Sequence, residues 1–317
     1  MEVIHNILDD NFKFDKPTTL TIGNFDGVHK GHISILHKMY AIAEENDSVP
    51  VLVTFQPHPL HVLTPNYAPK LLSITAEKLD ILEKYQVPVV VLFPFNKAVS
   101  QYSADWFLDE VLLKRLKAKH IVIGINHTFG RNREGDVNFL REKLPSRKVE
   151  LDVVEPVRRM DKDMVSSSEV RSELLNGDFE SAQKMLGHPY PLYGEIIGGR
   201  GVGTELGYPT INLKLRKRKL VPPSGVYACM IEHTDERLGG MLYIGTRPTF
   251  GENEMVIEIA CFCRLDIKIG DFLKVFVLKY FRGDRKFENT DLLVNQIKED
   301  EKSISDYLGK QKIKLTT

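Results

Sequence analysis

Thr18-Thr19-Leu20-Thr21-Ile22-Gly23-Asn24-Phe25-Asp26-Gly27-Val28-His29-Lys30-Gly31-His32 runs from a β-rich segment into a helical one. Thr18 to Gly23 has strand character, whereas from Gly31 onward Ile33, Leu36, Met39, Tyr40 and Ala43 recur at the 3.6-residue period of a helix. That places His29 and His32 on one face of a helix N-terminus, where free backbone N–H groups and the positive end of the dipole favour phosphate. Gly27 and Gly31 allow backbone to approach a ligand closely. A His-x-Gly-His at such a turn suits nucleotidyl transfer, in which a phosphate attacks the α-phosphorus of ATP and pyrophosphate leaves. The protein then has mainly to orient the triphosphate and stabilise developing charge. Taken alone, the motif is equally well read as a turn with two surface histidines.

Outward from this turn the chain keeps alternating. Strands are predicted at 18–23, 49–55, 88–93, 120–124 and 149–154, with helices between them near 32–45, 75–86, 103–116 and 136–143 and two short ones at 168–175 and 179–186. Such alternation predicts a Rossmann-like α/β domain with a parallel sheet and right-handed crossovers, whose ligands bind beyond the carboxyl ends of the strands. Gly187-His188-Pro189-Tyr190-Pro191 interrupts any helix, so domains are expected at 1–187 and 188–317. Beyond it, strand patterns at 192–197, 225–233, 240–244, 255–265 and 272–280 predict a small antiparallel β-barrel, followed by an amphipathic helix from about 290 to 308.

Composition sets the bounds. The 317 residues suit two domains, and a 42% hydrophobic content allows each a sizeable core. Lys+Arg and Asp+Glu balance at 43 each, so no global field recruits nucleic acid or an anionic membrane. The one dense basic run, Lys214 and Arg216 to Lys219, reads as a solvated loop in preference to a nucleic-acid contact. Cys229, Cys261 and Cys263 are too few and too clustered for a disulfide framework, which predicts a reducing cytosol and buried strand thiols. MEVIHNILDD has no apolar leader pattern, and no apolar run approaches the ~18 residues of a membrane helix, so a cytoplasmic chain without membrane association is expected. Nothing in the sequence speaks to oligomeric state.

Further residues gather after strands. Val165-Ser166-Ser167-Ser168-Glu169-Val170-Arg171 places hydroxyls ahead of an arginine at a helix start; serine caps helices, and a guanidinium grips phosphate oxygens in pairs. Gly124-Ile125-Asn126-His127-Thr128-Phe129-Gly130-Arg131 supplies an amide and an aromatic ring. Thr54-Phe55-Gln56-Pro57-His58-Pro59 is a rigid turn whose phenylalanine could stack on a planar ligand. In the second half, the glycine-rich run 198–207 has neither the P-loop lysine nor dinucleotide-fingerprint spacing. Thr210 and Asn212 are hard oxygen donors that share one side of an extended strand and could meet Mg²⁺ and phosphate. Glu258, inside an apolar run, is either paired or a base poised on a substrate hydroxyl.

Assembled, GNFDGVHKGH, TFQPHP, VIGINHTFGRNREGD, VSSSEVRSELLNGDFESAQKMLG, LGYPTINL, GVYA, IGTRPTF and KFENTDLLVNQIKED resemble the prokaryotic bifunctional riboflavin kinase/FMN adenylyltransferases, in family order over almost the whole chain. The resemblance implies two Mg-ATP-dependent steps, riboflavin to FMN in the barrel and FMN to FAD plus pyrophosphate in the N-terminal domain. It implies that His29, His32 and Asn126 act at the reacting phosphates and that Gly23, Phe25, Asp26, Ser167, Ser168 and Arg171 hold ATP. It further implies that Phe55, Pro57, His58 and Pro59 border the flavin, that Thr210 and Asn212 bind Mg²⁺ and phosphate, and that Glu258 activates the ribityl 5′-hydroxyl. Thr204, Ala260, Cys263 and Ile269 depart from the family pattern around the kinase site. These departures predict slow riboflavin phosphorylation; in the extreme, the barrel would be a degenerate remnant in a monofunctional FAD synthetase, or the chain a non-catalytic flavin carrier.

Overall fold

The computed structural model describes every residue except 10, 11, 160, 161, 200–206, 234, 235, 250, 251, 264, 316 and 317. By contacts the chain falls into two units, Met1–Leu71 with Lys78–Ser167, and Leu72–Glu77 with Ser168–Thr317.

In the first unit β1 (Glu2–Ile4), β2 (Thr18–Ile22), α1 (Lys30–Glu45), β3 (Val49–Gln56), α2 (Pro59–Leu63), α3 (Thr75–Lys84, from Lys78) and β4 (Val89–Pro94) are followed by α4 (Ala104–Trp106). α4 runs on into wider π-helical turns over Phe107–Arg115, and β5 (Ala118–Gly124), α5 (Val137–Arg147), β6 (Glu150–Val154) and the short antiparallel pair β7 (Arg158–Arg159) and β8 (Lys162–Met164) complete the order. The first six strands form one sheet in the order β1-β4-β3-β2-β5-β6, every pair parallel. All five residues of β2 are buried, as expected of a strand with both faces covered. Alternate residues serve two cores: Leu20, Val51, Val53 and Ile121 on one face, Leu52, Val90 and Val122 on the other. The chain leaves β2 towards β3 and β4, then returns to place β5 on the opposite side. The order therefore reverses between β2 and β5, and the crevice beyond their carboxyl ends is where a doubly wound sheet binds its ligand.

The second unit contains α6 (Ser167–Leu175, from Ser168), α7 (Phe179–Leu186), β9 (Tyr190–Ile197), β10 (Ile211–Leu215), β11 (Gly225–His233), β12 (Glu236–Thr249), β13 (Glu252–Cys261), β14 (Phe272–Gly283) and α8 (Thr290–Lys310). Its strands close into an antiparallel barrel in the order β10-β13-β12-β11-β14-β9. Asn289 caps α8 by accepting from the Leu292 N–H at 2.9 Å, and Ile304 and Leu308, fully buried, pack on Val226 and Ala228. Arg282 and Asp300 tie the helix to β14 through a multiple bond whose Nη2–Oδ2 distance is 2.6 Å.

The basic run does not behave as one solvated loop. Lys214, Arg216, Lys217 and Arg218 are exposed, but Lys219 is buried. Its ammonium lies 2.8 Å from Glu77 Oε2 and 4.1 Å from the Tyr190 ring centre, and both ends of the ion pair are wholly inaccessible. The Leu72 carbonyl also accepts from it, at 2.5 Å. The Glu77 carboxylate accepts from the Tyr193 and Ile74 N–H groups, each at 2.9 Å, so every strong hydrogen-bonding demand of the pair is met inside this unit. Lys219→Met should leave the Glu77 carboxylate buried without its cation and cost about 3–5 kcal/mol. Urea unfolding of the full chain measures this; an unchanged midpoint would show the pair to be dispensable.

Candidate functional sites

A cavity of about 280 Å³ opens at the switch point, lined by Gly23, Asn24, Phe25, His29, Gly31, His32, Asn126, His127 and Ser167 among others. α1 starts with His29 in extended conformation and no side chain occupying the cap; the His32 N–H donates to the His29 carbonyl at 2.8 Å, so the N–H groups of Lys30 and Gly31 are the ones the first turn can turn to a ligand. His29 and His32 stack with ring centres 3.7 Å apart, and Phe25 lies 4.7 Å from His32. A Cβ on Gly31 would come within 3.2 Å of the His29 ring and 3.3 Å of the Val165 carbonyl, so only glycine sits there without displacing the histidine. Phe25 and Val28 adopt positive φ (48° and 42°), a costly backbone for non-glycine residues and most of all for a β-branched one. Ser167 pins the loop from the other side, donating to the Asp26 carbonyl at 2.8 Å.

The electrostatics favour neutral imidazoles. Burial, then the His29 ring and Lys78, hold His32 well below its ordinary value of 6.5, and His32 Nδ1 is enclosed with no hydrogen-bond partner among the described residues. Burial lowers His127 to about 4. Both groups have folded values below their unfolded ones, so the unfolded chain takes up more protons and stability falls as acid is added. Unfolding midpoints should therefore drop between pH 6.5 and about 4, and His127→Gln should flatten part of that slope. A profile identical in that variant would remove His127 from the account.

A second cavity, about 520 Å³, is lined by Asn24, Phe55, Pro59, Phe93, Phe95, Phe107, Phe129 and Arg133 with others. Phe55 meets Phe93 and Phe95 edge to face, with centres 6.0 and 5.9 Å apart. Gln56–Pro57 is cis, and His58 accepts from the Leu60 N–H at 3.3 Å to cap α2, so of this turn Phe55 and Pro59 line the cavity. The opposite wall depends on Gly130 at φ +74°, where a Cβ would lie 2.7 Å from the Ala104 nitrogen. Asn24 lines both cavities.

In the barrel, strand register rather than sequence distance makes the site. Asn212 on β10 is the direct partner of Glu258 on β13, Glu258 of Tyr243 on β12, Tyr243 of Val226 on β11, and Val226 of Arg282 on β14. Direct partners share a face, here the one on which Val226 meets α8. Asn212 is nearly buried, Glu258 half-buried, and Thr210 immediately precedes β10. A Cβ on Gly199 would lie 2.2 Å from Asn212 Nδ2, so the missing side chain at Gly199 makes room for that amide. An all-oxygen pair of a hydroxyl and an amide matches the preference of Mg²⁺, which takes few protein ligands and completes its shell with water and substrate phosphate.

Ser168 and Arg171 stand on α6 in the second unit. Thr204 lies outside the described residues. Ala260 and Cys263 are buried, the former paired with Met241 and the latter with its thiol directed at the Lys314 carbonyl at 3.9 Å; Ile269 is 74% exposed. Both buried departures fill packing positions. Sequence reading also missed the contact of the Lys78 ammonium with the Asn24 carbonyl (2.6 Å) and with Thr54 Oγ1 (3.2 Å), which joins distant segments.

Switch-point sheet, paired histidines and a barrel carrying a carboxylate opposite an amide define a two-unit phosphate-transfer enzyme. Residues 11–169 match the FAD synthetase family model and residues 186–308 the riboflavin kinase model. The chain is 33% identical over 296 residues to the bifunctional riboflavin kinase/FMN adenylyltransferase of Bacillus subtilis, covering 92% of this chain and 93% of that one. It is 31% identical to that of Escherichia coli K12 (92% of each) and 30% to that of Buchnera aphidicola from Schizaphis graminum (96% and 97%). A crystal structure from Streptococcus pneumoniae, described as a macrolide-efflux protein, superposes with a TM-score of 0.85 at 29% identity over 96% of this chain and 99% of that one. The chain belongs to the bifunctional riboflavin kinase/FMN adenylyltransferase family. The expectation of a degenerate barrel or a non-catalytic carrier is thereby corrected, since both enzyme models match. Among the described residues no helix is long and apolar enough to cross a membrane.

Proposed function

We propose that residues 1–187 join FMN and ATP into FAD and pyrophosphate, and that residues 188–317 phosphorylate riboflavin to FMN, so that the second unit makes the acceptor for the first. The meeting of the two cavities at Asn24 carries the adenylyl-transfer reading. One cavity ends on helix N–H groups and stacked imidazoles, which suit a triphosphate; the other is aromatic and suits an isoalloxazine ring. An FMN phosphate oxygen attacks the α-phosphorus while the bond to pyrophosphate breaks. His29, His32 and Asn126 stabilise the charge on the reacting phosphates, and Gly23, Phe25, Asp26, Ser167, Ser168 and Arg171 hold the nucleotide. Phe55, Pro57, His58 and Pro59 border the flavin.

In the barrel, Glu258 takes the proton of the ribityl 5′-hydroxyl as its oxygen attacks the γ-phosphorus of ATP and ADP leaves. Thr210 and Asn212 are the residues that hold Mg²⁺ and phosphate. Bound there, Mg²⁺ would neutralise charge on the phosphate oxygens. The partners are these small molecules, the compartment is the cytoplasm, and the exposed basic residues 214–218 are a solvated face without a nucleic-acid role. Incubating the purified chain with riboflavin and Mg-ATP, and separately with FMN and Mg-ATP, tests both halves. Chromatography should show FMN and then FAD from the first mixture and FAD from the second. Recovery of unreacted flavin from both would overturn the proposal.

A further inference from the structure

α3 carries a lysine that the chemistry above does not use. Lys78 is buried, and its Nζ lies 2.6 Å from the Asn24 carbonyl and 3.2 Å from Thr54 Oγ1. Thr54 Oγ1 itself donates to the Asn24 carbonyl at 3.1 Å. The carbonyl therefore has a neutral donor already, and a buried ammonium is a costly second one. The residue it grips immediately precedes Phe25, whose φ is +48°, and is the one that lines both cavities. Backbone in this region persists only where its surroundings over-determine it. Two donors from two different elements, α3 and β3, converging on one oxygen supply that constraint.

We propose that Lys78 is a positioning residue for adenylyl transfer, locking through the Asn24 carbonyl the loop that brings the paired histidines to the junction of the nucleotide and flavin cavities. The inference rests on the adenylyl-transfer reading of that site. Its charge adds to its geometry: Asp26 attracts the ammonium, and the ammonium in turn opposes protonation of His32. Burial brings Lys78 itself down to about 8, with Asp26 opposing. The ionisable groups facing it are thus Asp26 and His32 from the loop and the first turn of α1, with His29 stacked behind His32.

Lys78→Met in the full chain, assayed for FAD formation and for riboflavin phosphorylation in one preparation, tests the proposal. Loss of registration at the reacting atoms should lower kcat for FMN adenylylation by roughly 10²-fold. KM for ATP should change little, and riboflavin phosphorylation, which reports intact protein, should be unchanged. Lys78→Arg should recover part of kcat. Lys78→Met and Thr54→Val should be non-additive, because both act on one carbonyl. The acid limb of the adenylylation profile should move to higher pH, since His32 loses a neighbour that repels its proton. Wild-type kcat in Lys78→Met, an equal fall in both activities, or a change confined to KM for ATP would each overturn the proposal. Should Lys78→Met not fold, Thr54→Val carries the test, and a wild-type kcat there overturns it equally. Failure of the parent reading is distinguishable, because the unmodified chain would then form no FAD.

Discussion

Glu258→Gln is expected to lower riboflavin phosphorylation by roughly 10²- to 10⁴-fold, the range spanned by general-base catalysis, while FMN adenylylation in the same preparation stays at its wild-type rate. The amide keeps the size and planarity of the carboxylate, so the packing of β13 between Asn212 and Tyr243 is retained and only proton acceptance is lost. The loss should fall on kcat with little change in KM for riboflavin, because the proton moves in the transition state. Substitution of Asn212 should behave differently, weakening phosphate and Mg²⁺ binding and so raising KM for ATP. A Glu258→Gln protein that phosphorylates riboflavin at the wild-type rate would remove this residue from the base role and leave it a structural carboxylate on the barrel wall.

The second large effect concerns the stacked histidines. His32→Ala and His29→Ala should each reduce FAD formation by about 10²- to 10³-fold, as when one preorganised oxyanion donor is removed. Their rings lie face to face at 3.7 Å, so each fixes the other's orientation, and the double variant should be little worse than either single one. Riboflavin phosphorylation should be unaffected. His32→Ala also opens space beside Phe25, so thermal unfolding should be followed alongside activity. FAD formation at the wild-type rate in either variant, with saturating ATP, would sink the assignment.

Much of this architecture is legible in the sequence. The runs at 18–23, 49–55, 88–93 and 120–124 are the buried parallel strands, rich in apolar and β-branched residues as a strand covered on both faces requires, and 149–154 is the half-exposed edge strand β6. The helical period after Gly31 placed the histidines at the start of α1, and the alternating patterns after Pro191 are barrel strands. The N-terminal strand β1 was not recognised, since three residues carry too little periodicity to register.

What sequence determined, then, was the local grammar of the chain: which segments are strands and helices, which residues end them, and which functional groups stand in loops at strand ends. Those properties depend on neighbours within a turn or two. Tertiary structure alone decided the partnerships. Lys219 looked like one member of a solvated basic run until Glu77 and Tyr190 enclosed it. Lys78 is one residue among others in the predicted helix 75–86, and only the fold brings it to Asn24 and Thr54. Asn212 and Glu258 were separate polar interruptions until barrel closure made them direct partners. The physical reason is the same in each case: buried charge and cross-strand register are set by which distant segment arrives opposite, and spacing along the chain carries no record of that.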